Sequence, residues 1–267
     1  MDRVLFDFGF FQIKWYSFFI FMGVLTASFL IIKEAKKKNI NTDNIIDILF
    51  YGIIIGILGA RIYYVLFNLD YYLSNPIEII EIWNGGLAIH GGVIATLIFL
   101  IIYTRKKKMN LLLLLDILVV GLIIAQAIGR WGNFFNGEAY GRIVSLSFLK
   151  SLHLPKFIID GMYIGGEYRE PTFLYESVFS ILGFIILLIV RRLKNTKTGQ
   201  ICGIYFIWYG IERFIIESFR SDSLMLGPLK IAQIVSILSI ILGIYLFTKN
   251  IKNSKKLYKE DLLLEEK

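Results

Sequence analysis

The chain has 267 residues, 56% of them hydrophobic and 19% charged, with a mean hydropathy of +0.65; a soluble domain of this length carries more charge and less apolar bulk. The net charge of +8 sits in short basic blocks between long apolar runs, which is the positive-inside pattern and not a nucleic-acid footprint. The single cysteine, Cys202, excludes an internal disulfide and a CxxC metal site, and its place at the start of an apolar run fits a packed, inert thiol.

The first apolar run opens at Trp15, after Asp2, Arg3 and Asp7, and runs into a lysine block, so no cleavable leader is expected. Apolar runs cover about 15–32, 45–67, 85–103, 111–128, 172–190, 201–219 and 229–248, and about 20 helical residues cross a ~30 Å hydrocarbon core. Basic blocks occupy 33–38, 105–108, 191–197 and 249–259, the odd-numbered connections. The second connection has Asp70, Glu78 and Glu81 and no lysine or arginine. Alternation holds only if all seven runs span, which puts the N-terminus outside and the tail, 249–267, in the cytoplasm.

Two segments depart from plain spans. Residues 85–92 hold four glycines around His90, each costing about 1 kcal/mol in a helix, and are expected to be non-helical backbone at membrane depth. The fourth connection, 129–171, is far longer than the rest. A Gly165-Gly166 turn between 158–164 and 167–169 predicts a small β-containing head on the outer side. The expected fold is an all-α integral membrane protein: a seven-helix bundle with a small extracytoplasmic head containing some β structure.

A charge near the bilayer centre costs about 2.5–3.5 kcal/mol, so such residues are usually functional or paired. Tyr209, Arg213, Glu217 and Arg220 are spaced four, four and three apart and share one helical face; the plain alternative is an Arg213–Glu217 pair that holds helices together. Arg61, beside Tyr63 and Tyr64, either belongs to a site or snorkels to the interface. Gln126, Arg130 and Asn133 continue into Asn136 and Glu138 among glycines that let backbone pass close to a ligand. Arg130 offers a planar fork of donors suited to phosphate. His90 is kept accessible by its glycines, whereas His153, Asp43, Asp47 and Asp116 read as structural or as helix-end residues.

The run Gly129-Arg130-Trp131-Gly132-Asn133-Phe134-Phe135-Asn136-Gly137-Glu138-Ala139-Tyr140-Gly141 resembles the signature of the prolipoprotein diacylglyceryl transferase family. Trp15-Tyr16, the glycine-rich 85–92, Pro171-Thr172-Phe173-Leu174-Tyr175-Glu176 and the stretch from Tyr209 to Arg220 agree in order and place. The resemblance spans nearly the whole chain, except the tails and the middle of the outer loop. One departure is Glu170, where many relatives carry histidine.

The resemblance implies transfer of a diacylglyceryl group from phosphatidylglycerol to the lipobox cysteine of bacterial prolipoproteins, at the outer face of the bacterial cell (inner) membrane. Thioether and glycerol phosphate would be the products, with no cofactor, no metal and no nucleic acid involved. Arg130 is expected as the principal headgroup ligand, with Arg213 beside it. Tyr16 and Asn133 would orient the lipid, and Tyr209, Asn136, Arg220 and Arg61 would complete its site. Glu138 and Glu217 would fix the arginines or accept a proton. His90 is the default base, or it binds the headgroup and leaves the proton to a carboxylate. A phospholipid or polyprenyl-phosphate hydrolase, a transporter and a structural scaffold are the competing readings. They are opposed, respectively, by the lack of metal-ligand clusters, by the lack of a repeat between halves, and by the composition of 129–141.

Overall fold

A computed structural model describes residues 3–9, 12–220, 225–227, 229–252 and 257–258. In chain order these form β1 (Val4–Asp7), β2 (Gln12–Lys14), α1 (Trp15–Lys37), α2 (Thr42–Phe67), α3 (Leu69–Ser74), α4 (Ile89–Lys107), α5 (Leu111–Asn136), α6 (Leu146–Ser151), α7 (Lys156–Gly161), β3 (Tyr163–Ile164), β4 (Glu167–Tyr168), α8 (Thr172–Val190), α9 (Gln200–Phe219), β5 (Met225–Leu226), β6 (Leu229–Lys230) and α10 (Ile231–Lys252). The strands make three two-stranded antiparallel hairpins. Two short 3-10 turns, Pro76–Ile80 and Ile82–Asn84, precede α4. The predicted tail lies largely outside the described residues, but Tyr258 is buried and donates its N–H to the Thr196 carbonyl at 2.8 Å.

Among the described residues, six helices are long and apolar enough to cross a membrane: Trp15–Lys37, Thr42–Phe67, Ile89–Lys107, Leu111–Asn136, Thr172–Val190 and Ile231–Lys249. The sixth expected span, 201–219, is helical as α9 but is not among these six: Glu212, Arg213 and Glu217 interrupt its apolar character. Large side chains stand bare along the apolar helices, among them Phe21, Phe29, Phe50 and Leu238. Water would penalise that surface and lipid does not.

The chain divides into two compact units. Among described residues, one comprises 32–114, where α2 and α4 run antiparallel. Here the expectation for 85–92 is corrected: only 85–88 is irregular, and Ile89 onward, including His90, Gly91 and Gly92, is helical. A Cβ on Gly91 would collide with the Tyr63 side chain and the Gly59 carbonyl, and one on Gly59 would collide with Ala95. Close helix packing thus outweighs the propensity cost of glycine. Gly91→Val is expected to destabilise the protein by about 1–3 kcal/mol through overpacking. Gly129→Ala, whose Cβ meets only Ile20 at 3.5 Å, is expected to be tolerated. Thermal unfolding in detergent compares the two.

The other unit comprises 3–31 and 115–258 among described residues. Gly203 of α9 and Gly243 of α10 face one another with no room for a Cβ on either. Buried Asp116 accepts the N–H groups of Gly199 (2.5 Å) and Cys202 (2.7 Å), capping α9 from another helix. The fourth long helix does not end at 128 as expected; α5 continues to Asn136. The segment after it packs Leu149, Ile158 and Met162 against Phe134 of α5 and Phe173 of α8. The Gly165-Gly166 turn is as expected: both residues have positive φ (65° and 87°) and join β3 to β4.

Candidate active site

The extension of α5 carries Arg130, Asn133 and Asn136 on a helix, and Glu138 follows its end. Arg130 Nε lies 3.2 Å from Glu176 Oε2, and Arg213 Nη1 lies 3.1 Å from the other oxygen, Oε1. Arg213 Nη2 reaches Glu217 Oε2 at 2.6 Å. One carboxylate of α8 therefore bridges arginines of α5 and α9. The Glu176 and Glu217 side chains are 1% and 2% exposed, the two arginines 22% and 20%. Arg213 has both amino groups committed to carboxylates. Arg130 Nε is buried and meets Glu176 by charge without a hydrogen bond, and among the described residues the two amino groups of Arg130 donate no hydrogen bond either. They form the accessible end of a fork that matches two oxygens of a phosphate.

Around this pair, Tyr16 packs against Gly132, where an added Cβ would sit 3.2 Å from the Tyr16 ring. Its hydroxyl is within electrostatic reach of Arg130 and Glu138. Asn133 Nδ2 donates to Glu138 Oε1 at 3.0 Å, so Glu138 holds Asn133 and makes no ion pair with an arginine among the described residues. Asn136 is the last residue of α5. Tyr209 stacks on Tyr205, at 6.0 Å between ring centroids, and the Tyr205 hydroxyl accepts from Gln126 Nε2 at 3.1 Å.

The strand-like segment from Ala139 to Val144 ties the site's three helices together at their ends. Gly141 N–H donates to the Glu170 carbonyl (3.0 Å), Arg142 N–H to Phe219 (3.1 Å), and the Thr172 hydroxyl to Ala139 (2.7 Å). Gly141 also bridges Arg220, which lies just beyond the end of α9 in extended conformation and so off the helical face expected for it. Lys230 Nζ closes that end by donating to the carbonyls of Glu217 (2.6 Å) and Arg220 (3.2 Å). Glu170, at the place where relatives carry histidine, is buried and accepts from Arg142 Nε at 2.9 Å. It is an ion-pair residue of this strap.

Two expected residues lie in the other unit. The Arg61 guanidinium is engaged by main chain. Nε donates to Ile79 O (2.9 Å), Nη1 to Gly85 O (2.8 Å) and Gly86 O (3.0 Å), and Nη2 to Glu78 O, with the cation over the Tyr72 ring. It staples the segment before α4 onto α2. The hydroxyl of Tyr71 in the same region donates to Glu78 Oε2 at 2.8 Å, which pushes the phenol above its ordinary range. His90 is exposed in the first turn of α4, with its ring 6.4 Å from that of Tyr63.

Sequence reasoning left Glu176 out of the site, although it is the one charged residue in 172–190; the cost of an intramembrane charge was signal enough. It also passed over Glu212, which is buried and hydrogen-bonded to Ser180 Oγ, because Glu212 is off the face defined by Tyr209, Arg213 and Glu217.

A family model described as prolipoprotein diacylglyceryl transferase matches residues 3–249. A phosphatidylglycerol–prolipoprotein diacylglyceryl transferase of Listeria innocua serovar 6a is 46% identical over 264 residues, covering 98% of this chain and 95% of that protein. The enzyme of that name from Lactobacillus delbrueckii subsp. bulgaricus is 44% identical over 263 residues (97% and 95%). The one from Staphylococcus haemolyticus is 46% identical over 262 residues (97% and 92%).

Proposed function

The chain belongs to the prolipoprotein diacylglyceryl transferase family, and from that premise we propose that it transfers the diacylglyceryl group of phosphatidylglycerol to the lipobox cysteine of bacterial prolipoproteins. This is the first step of lipoprotein maturation, carried out by a multi-pass protein of the bacterial cell membrane. The observation that carries the reading is the half-committed Arg130, fixed by Glu176 on one side and open on the other.

The chemistry follows from charge. The cysteine thiolate attacks the glycerol CH2 carbon bonded to phosphate oxygen, a C–S bond forms, and the C–O electron pair stays on the phosphate. Glycerol phosphate leaves with one more negative charge than the phosphodiester held, and the thiol proton goes to a base. Cations fixed at the phosphate favour the transition state over the ground state. Arg130 binds the phosphate, Arg213 adds field, and Tyr16, Asn133, Asn136, Tyr209 and Arg220 orient the lipid. Glu217 holds Arg213 and Glu138 holds Asn133. Arg61 positions the segment leading to His90.

The protein crosses the bilayer seven times, α9 included, with the N-terminus and the head, 129–171, outside and the C-terminus in the cytoplasm. The alternating basic loops support this orientation. The charges of α9 are tolerable at depth because Arg213 meets Glu176 and Glu217, and Glu212 meets Ser180.

Purified protein incubated with phosphatidylglycerol and a lipobox peptide should add a diacylglyceryl mass to the peptide cysteine. Folded protein that yields no adduct overturns the assignment. His90→Asn is expected to lower the rate strongly. A rate regained at high pH assigns His90 the base role, and a loss independent of pH assigns it to the headgroup.

A further inference from the structure

The buried ion-pair cluster contains a carboxyl that the proposed chemistry leaves idle. Glu212 is 4% exposed, and both its oxygens lie within hydrogen-bond distance of Ser180 Oγ, at 3.1 and 3.3 Å. Ser180 is one helical turn beyond Glu176 on α8, which sets the Glu212 carboxyl beside the arginine bridge. The charged and titratable groups around it are Arg130 of α5, Glu176 of α8, and Arg213 and Tyr205 of α9. Lys230, ahead of α10, is occupied with the carbonyls at the end of α9.

Three buried carboxyls, Glu176, Glu212 and Glu217, thus share two arginines, Arg130 and Arg213. Glu176 and Glu217 each have an arginine within ion-pair distance; among the described residues Glu212 has none. An arriving phosphodiester adds another negative charge where water screens poorly. Neutralising Glu176 or Glu217 would give up an ion pair. Neutralising Glu212 gives up none, and the serine hydroxyl accepts as readily as it donates, so the hydrogen bond survives protonation.

We propose that Glu212 takes up a proton as the lipid phosphate binds Arg130, coupling phosphatidylglycerol binding to protonation inside the bundle. This rests on the headgroup assignment of Arg130.

Calorimetric titration of short-chain phosphatidylglycerol into the detergent-solubilised full chain, in buffers of different ionisation enthalpy, counts protons taken up per lipid bound. The wild type should take up close to one above neutral pH, with affinity falling by about tenfold per pH unit. Glu212→Gln, which keeps the shape and the serine bond, should bind with no uptake and no such pH dependence. Wild-type binding without uptake overturns the proposal, and so does equal uptake by Glu212→Gln. Arg130→Ala separates the premise: binding that survives in that variant removes the headgroup assignment, whatever the proton count.

Discussion

Arg130→Ala abolishes diacylglyceryl transfer while the protein still inserts and melts as a folded species: that is the expected result of removing the open guanidinium fork. A preorganised donor at developing charge is worth about 10²–10³ in rate, and a fork that also binds the ground-state phosphate adds a binding loss. Arg130→Lys is expected to recover little, because an ammonium cannot meet Glu176 with one edge and two phosphate oxygens with the other. The measurement is transfer to a lipobox peptide, followed by mass spectrometry, beside a thermal melt of the same preparation. Normal lipidation by Arg130→Ala would remove it from the headgroup site.

Glu176→Gln has the second-largest expected effect, and it differs in kind. Glu176 touches both arginines, at 3.2 and 3.1 Å, so its neutralisation frees both at once. Breaking a fully buried pair costs about 3–5 kcal/mol. The arginines here are about a fifth exposed, so solvent screening brings the expected loss to roughly 1–3 kcal/mol. Arg213 keeps Glu217, while Arg130 loses the contact that aims it. The variant should therefore melt lower and also transfer poorly, whereas Arg130→Ala should transfer poorly with a smaller change in melting. Similar melting of Glu176→Gln and wild type would show that the bridge is not a structural element.

The membrane helices were readable because lipid imposes a coarse rule, about 20 apolar residues per crossing, and 15–32, 45–67 and 172–190 obey it. Their ends were less readable. The glycines at 91 and 92 looked like helix breakers because a single chain shows composition and not the partner pressed against it. The partner is α2, whose Gly56, Gly59 and Tyr63 lie against them and leave little room for a Cβ. The glycines at 129 and 132 hid the last two turns of α5 in the same way. In the site, Arg130, Arg213 and Glu217 were found from spacing and from the cost of burying charge. The bridge through Glu176 was not, since the pairing joins residues 46 and 37 positions apart (176 minus 130, and 213 minus 176). The carbonyls that receive the Arg61 guanidinium were not legible, because acceptors on a non-helical segment leave no mark in side-chain identity.

The capping of α9 by Asp116, together with its ion pairs, bears on how the protein is made. The groups from other helices that satisfy the N–H groups and charges of α9 come earlier in the chain: Asp116 for the N–H groups at its start, Glu176 for Arg213, Ser180 for Glu212. A helix with three charges enters a bilayer poorly by itself. If α9 crosses the bilayer as proposed, α5 and α8 precede it in synthesis and would serve as the template for its insertion. A precursor cut before residue 200 should integrate its helices without help from α9 and α10. An α9 deprived of α5 would be held at the membrane surface or handed to quality control.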